Sequence, residues 1–184
     1  MILIDETYFV GNITLPNLST LPPVPAASGV ALAIQTVGEN NLDAYINIYV
    51  PKYLILLFGR KLASKLLEEL EGSNPDQIWL DIKDQLLITT GSYKASPLAN
   101  YVYYWVRRNG ESKTTQGGEA DPTFGFATNT ANRRKIVTAW GDMVDMTRDI
   151  DAWYCANRDT YKEYACCRGR DICDITTYIN EFGL

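Results

Sequence analysis

Histidine is absent from this 184-residue chain, and that absence removes several chemistries. Without imidazole the chain has no Ser-His or Cys-His couple, no His-ligated zinc and no imidazole general base. Phosphate cradles are missing too: neither Gly-x-x-x-x-Gly-Lys-Ser/Thr nor Gly-x-Gly-x-x-Gly occurs. No run reaches the roughly 20 predominantly apolar residues that cross a bilayer. The uncharged stretch from Thr7 to Gly38 is interrupted by Pro16, Pro22, Pro23 and Pro25. Met1–Glu6 has no basic region ahead of its apolar residues, so it is not expected to be a secretory signal. A soluble product of a cytoplasm is the expectation. Basic residues are in deficit, 17 Lys and Arg against 22 Asp and Glu, which argues against a sequence-independent grip on DNA phosphates.

Cysteine is scarce and late. Cys155, Cys166, Cys167 and Cys173 all fall near the C-terminus. Structural zinc usually takes two Cys-x-x-Cys-like pairs, whereas the adjacent Cys166-Cys167 pair points its side chains in different directions on any regular element. Reduced thiols fit better than a metal site. Asp142, Asp145 and Asp149, spaced by three and four residues, lie near one another on a helix and could bridge a divalent ion, but an acidic solvent face is the commoner meaning. No metal or cofactor is expected, and no catalytic residue stands out.

What is present is helical patterning. From Asn41, a stripe of Leu42, Tyr45, Ile46 and Tyr49 leads to Pro51, where a break or fresh start is expected. The run Tyr53–Phe58 is apolar all round and suits a buried helix, with a buried strand as the alternative. Asn74-Pro75 and Ser96-Pro97 have the chemistry of helix starts, the second running to Arg107-Arg108 and stopping at Asn109-Gly110. The longest stripe, Ile136 to Tyr154, marks a helix from near Thr130 to beyond Asp151. Arg133, Arg134 and Lys135 would then oppose the positive end of its dipole.

Between these elements the composition changes. Residues 1–40 form an expected extended arm, with strand-like pieces around Tyr8–Val10 and Ile13–Leu15 and a Pro-rich Leu21–Pro25 segment. Such an arm lies across its own domain or a neighbouring subunit. Residues 110–129 form an expected long Gly-rich loop ending in Phe124 and Phe126. A helical domain over 41–163 and a tail over 164–184 complete the division. Net charge runs −4, +3 and −4 over residues 1–51, 52–140 and 141–184, a pattern that could pair copies of the chain or a charged partner.

Four stretches also resemble a known family. They are Met1–Ile13, Tyr49–Leu54 with Phe58-Gly59, Ser96–Trp105, and Ala139–Val144. Together they are similar to the head–tail connector (adaptor or ring) proteins of Bacteroides-infecting, crAss-like tailed phages. The resemblance implies an all-α bundle subunit of a homo-oligomeric, twelvefold ring beneath the portal protein. Such a ring also meets other tail or ring proteins, and DNA passes through it without sequence-specific binding. It implies a virion location at the head–tail junction, synthesis in the bacterial host, no enzyme activity and no cofactor. The interface residues expected on this reading are Tyr8, Val10, Ile13, Phe124, Phe126, Arg133, Arg134 and Lys135. The competing reading is a small phage-encoded regulatory or DNA-binding module using Arg107, Arg108 and Arg133–Lys135. A carboxylate-dependent hydrolase on Asp142, Asp145 and Asp149 is the third.

Overall fold

The computed structural model describes residues 3–15, 42–91, 93–110, 113–115, 118–120, 126–164 and 171–180. Over these the architecture is all-α, with two short hairpins as its only strands. In chain order come 3-10 turns at Glu6–Tyr8 and Gly11–Ile13, then α1 (Leu42–Phe58), α2 (Arg60–Glu71) and α3 (Gln77–Leu86). The hairpin β1 (Ile88–Thr90) and β2 (Tyr93–Ala95) follows, and then α4 (Pro97–Gly110). A second hairpin, β3 (Lys113–Thr115) and β4 (Gly118–Ala120), precedes the long α5 (Phe126–Ala156) and the single turn α6 (Cys173–Thr176).

The Tyr53–Phe58 run is helical, which excludes the strand alternative. Pro51 does not break α1. Its ring removes the donor that would meet the Asn47 carbonyl, and Asn47 lies on the exposed face of the helix, where water can take that role. Leu42, Ile46, Val50, Tyr53, Leu54, Leu57 and Phe58 are buried. The break comes eight residues later, at Gly59, whose φ of 83° and ψ of 158° belong to glycine alone. Gly59 still donates to the Ile55 carbonyl (2.8 Å) and accepts from the Ala63 amide (3.0 Å). The chain therefore turns between α1 and α2 while Gly59 keeps both of its own backbone hydrogen bonds.

Beyond Gly59, α2 buries Leu62, Ala63, Leu66 and Leu70 and turns Lys65 outward toward Glu68 and Glu69 (3.3 and 2.8 Å). The start expected at Asn74-Pro75 shifts by two residues, because Asp76 is the N-cap of α3. Trp79, Ile82 and Leu86 face inward from there. The Ser96-Pro97 start is as the sequence indicates: Ser96 Oγ accepts from the Leu98 amide at 3.2 Å. The same hydroxyl donates to the Leu86 carbonyl at 2.8 Å, so one buried side chain opens α4 and closes α3.

The centre of the core is α4, buried almost continuously from Leu98 to Tyr104. It packs on α1 and α5. Aromatic rings fill the seams: Tyr49 stacks on Trp105 with centroids 5.1 Å apart, Tyr53 meets Tyr101 at 5.4 Å, and Tyr104 meets Trp140 at 4.4 Å. Across the α1–α5 seam, the buried Tyr53 hydroxyl lies 2.6 Å from Thr147 Oγ1. Thr147 donates to the Met143 carbonyl, which leaves Tyr53 as the donor to Thr147. Burial pushes the Tyr53 phenol far above its usual range.

The arm expected over 1–40 needs correction for its described part. Residues 3–15 form no strand, and Leu3, Ile4, Tyr8, Phe9 and Ile13 are buried in the common core. They lie across their own domain. The physical reason is in the composition: these five large apolar residues gain more by burial than a free arm would retain. The Pro-rich Leu21–Pro25 segment lies outside the described residues. The Gly-rich loop is likewise not continuous loop, since β3 and β4 pair in register from Lys113↔Ala120 to Thr115↔Gly118. In the tail, Ile175 is buried in the core and Ile172 and Ile179 pack against it, so residues 171–180 dock on the bundle through these side chains.

Candidate functional site: a groove walled by three distant segments

Where the N-terminal turns approach β2 and α5, an open groove of about 530 Å³ remains. Its walls come from residues 8–13, from Tyr93–Ala95 with Asn100, and from Asp142, Asp145 and Met146. Each wall has a local cause. The N-terminal wall begins at Asp5, which caps the first 3-10 turn by accepting from the Thr7 amide at 2.9 Å and also from the Thr7 hydroxyl. The β2 wall is set by Gly91, whose φ of 63° suits the first position of a two-residue hairpin loop. Strand register then pairs Thr90 with Tyr93 and Ile88 with Ala95.

Lys94 ties these two walls together. Its ammonium donates to Thr7 Oγ1 at 2.7 Å and sits 5.1 Å from the centre of the Tyr8 ring. The Asp5 carboxyl is held below its usual range chiefly by the Thr7 hydroxyl, with smaller help from the Thr7 amide and the Lys94 charge. Burial, and secondarily the Asp5 charge, pushes the Tyr8 phenol up.

The α5 wall is held from behind by the C-terminal segment. Tyr178 donates its hydroxyl to Asp145, which raises the Tyr178 phenol. Arg148 lies over the Tyr178 ring at 4.5 Å, donates to its hydroxyl at 3.1 Å and to the Thr176 carbonyl at 2.9 Å. Trp140 adds an indole N–H to the Thr177 carbonyl at 2.8 Å. Asp142 is different. It is exposed and makes no hydrogen bond or ion pair among the described residues. Partial burial, reinforced by Asp145, raises its carboxyl above the usual range.

The groove's rim is apolar. Val10 and Tyr93, both lining the groove, are 41% and 59% exposed, large for apolar or aromatic side chains gathered around one concavity. The chemical capacity is recognition: a site for a cationic group within an apolar border. Asp142, Asp145 and Asp149 do not assemble a metal site, and no group of three or more potential metal ligands occurs among the described residues. Cys155 and Cys173 are free and exposed, while Cys166 and Cys167 lie outside the described residues.

The residues expected at an interface divide. Tyr8, Val10 and Ile13 all line the groove. Tyr8 and Ile13, however, are buried in their own chain, which removes them as side chains to insert into a neighbour, while Val10 stands at the rim. Arg133, Arg134 and Lys135 are exposed on α5. They do not oppose the dipole end, because the helix begins at Phe126 and the effect is confined to its first turn. Phe124 lies outside the described residues, and of Phe126 only its backbone place at the head of α5 is described. Arg107 and Arg108 fold back along α4 over the Tyr103 and Tyr104 rings (5.7 Å each).

Tyr93, Lys94, Asn100 and Tyr178 escape a sequence reading of the site. For the first two a signal existed: Thr89-Thr90-Gly91-Ser92-Tyr93 has β-prone residues flanking a two-residue Gly-Ser turn. No helix among the described residues is long and apolar enough to cross a membrane. The chain matches no family model, no curated protein and no solved structure.

Proposed function

We propose that this chain is a structural virion protein, a head–tail connector subunit that assembles into a ring docked on the portal and lining the DNA exit path. The observation that carries the reading is where the family-like stretches fall. Residues from three of them form the aromatic seams: Tyr49 and Tyr53 from one, Tyr101, Tyr104 and Trp105 from another, and Trp140 from the last. The opening stretch buries Leu3, Ile4, Tyr8 and Phe9 against the same core. Four separated motifs therefore contribute to one shared core, which supports a subunit working by shape and assembly. The groove with its exposed apolar rim adds a surface suited to a protein neighbour.

Imaging of the phage or prophage particle at subunit resolution, with mass spectrometry of its proteins, tests this. The expected result is a closed ring of this chain between portal and tail, present in a fixed ratio to the portal protein. Recovery of the chain only from the lysate, with none in purified particles, overturns it.

A further inference from the structure

We propose that the groove receives the Lys135-bearing turn of α5 from a second copy of the chain. The proposal rests on reading the protein as a self-assembling subunit and names the contact by which it does so.

The argument begins with unmatched charge. Three charged side chains line the groove, and two are occupied: Asp145 takes the Tyr178 hydroxyl, and Lys94 is held by Thr7. Asp142 alone has no partner among the described residues. Lys135 is exposed seven residues earlier on the same helix. Seven residues are close to two full turns, so the two side chains share a face, about 10 Å apart along the axis. Side chains on one helix meet at spacings of three and four. Lys135 therefore does not neutralise Asp142 within its own chain, and the pair closes between copies.

The surroundings fit such a contact. Val10 and Tyr93 in the groove lining would lose their exposure to water beneath a neighbouring helix. An ion pair within an apolar border gives orientation as well as attraction. Each copy carries both the donor turn and the receiving groove, so a head-to-tail contact leaves one of each for the next copy, as ring growth requires, whereas a two-fold contact would close both at once.

The test uses the full-length chain, purified under reducing conditions because Cys155 and Cys173 are exposed. Sedimentation equilibrium at low and high salt compares wild type, Asp142→Lys, Lys135→Glu and an equimolar mixture of the two variants. Both positions are exposed, and circular dichroism checks that the variants fold. Each variant alone should self-associate at least ~10-fold more weakly than wild type, because like charges now face each other. The mixture should restore association, since the cation introduced by Asp142→Lys in one variant then meets the carboxylate introduced by Lys135→Glu in the other. Should either variant lose its fold, Asp142→Asn and Lys135→Gln replace them, each expected to weaken association without rescue on mixing. Unchanged association in the single variants, no rescue in the charge-swapped mixture, or a wild type that stays monomeric at low salt each overturn the proposal. A chain found in the particle ring whose variants associate normally sinks this contact and leaves the connector reading standing; absence from particles does the reverse.

Discussion

Two irregular segments brace α5, residues 3–15 from the N-terminus and residues 171–180 near the C-terminus, and they do so by different means. The first sinks five apolar side chains into the core and makes few polar contacts with the bundle, the Lys94–Thr7 bond being the clearest. The second buries Ile175 and receives hydrogen bonds from Trp140 and Arg148 at its backbone carbonyls, while its Tyr178 reaches back to Asp145. Burial is strong and non-directional, so the first segment supplies stability. Hydrogen bonds are weaker in net energy but directional, so the second fixes where the acidic wall of the groove stands.

The sharpest way to break this contrast is deletion. Removing residues 1–15 should cost more than about 5 kcal/mol, since each fully buried large apolar side chain contributes about 1.5–3 kcal/mol. That is comparable with the whole stability of a domain. Loss of the cooperative thermal transition is the expected outcome, and a truncated chain melting near the wild-type temperature would contradict it. Trp140→Ala comes next, at about 3–5 kcal/mol by denaturant unfolding. It removes a ring packed on Tyr104 together with the bond to Thr177.

Tyr178→Phe should be milder, a small drop in melting temperature well short of that for Trp140→Ala, because the ring stays over Arg148 while Asp145 loses its donor. A loss as large as that of Trp140→Ala would mean that the C-terminal brace is a stability element like the N-terminal one. The smallest effect concerns Asp142. Its carboxyl is raised by burial and by Asp145, so in the pH range between its unfolded and folded values the native state binds more protons than the unfolded state. Stability then falls as pH rises through that range. Asp142→Asn should raise the melting temperature slightly at neutral pH, and the gain should vanish below the ordinary carboxylate range. An equal gain at acidic pH would show that charge is not the cause.

Legibility in the sequence followed the distance over which each feature is encoded. The Ser96-Pro97 start was readable because the cap, the proline and the capped amide lie within three residues. The α5 stripe was readable because its buried positions repeat at one period from Ile136 to Tyr154. Pro51 misled because its effect depends on whether the Asn47 carbonyl meets water, which is a property of the folded surface. The head of α5 is not legible because Thr128, Asn129 and Asn132 are weak helix formers, and local preference gives way to tertiary context. The groove was illegible as a unit. Its walls are some eighty and fifty residues apart in sequence, and no local pattern records that Lys94 meets Thr7 or that Tyr178 meets Asp145. Asp142 and Asp145 were visible as carboxylates on one helix, but their meaning depended on what stood opposite.

The double role of Ser96 has a practical corollary. One hydroxyl joins the Leu86 carbonyl to the Leu98 amide, so the β1–β2 hairpin is a loop pinched shut at its base. Lengthening such a loop costs little, because closure entropy grows only with the logarithm of its length. A Cβ added at Gly91 would meet no atom within 4 Å, so the space around the tip is open. The tip at Gly91 is accordingly a natural insertion point. A short epitope or labelling peptide placed there would leave α3 and α4 in register, and its recognition in assembled particles would report which face of the subunit points outward.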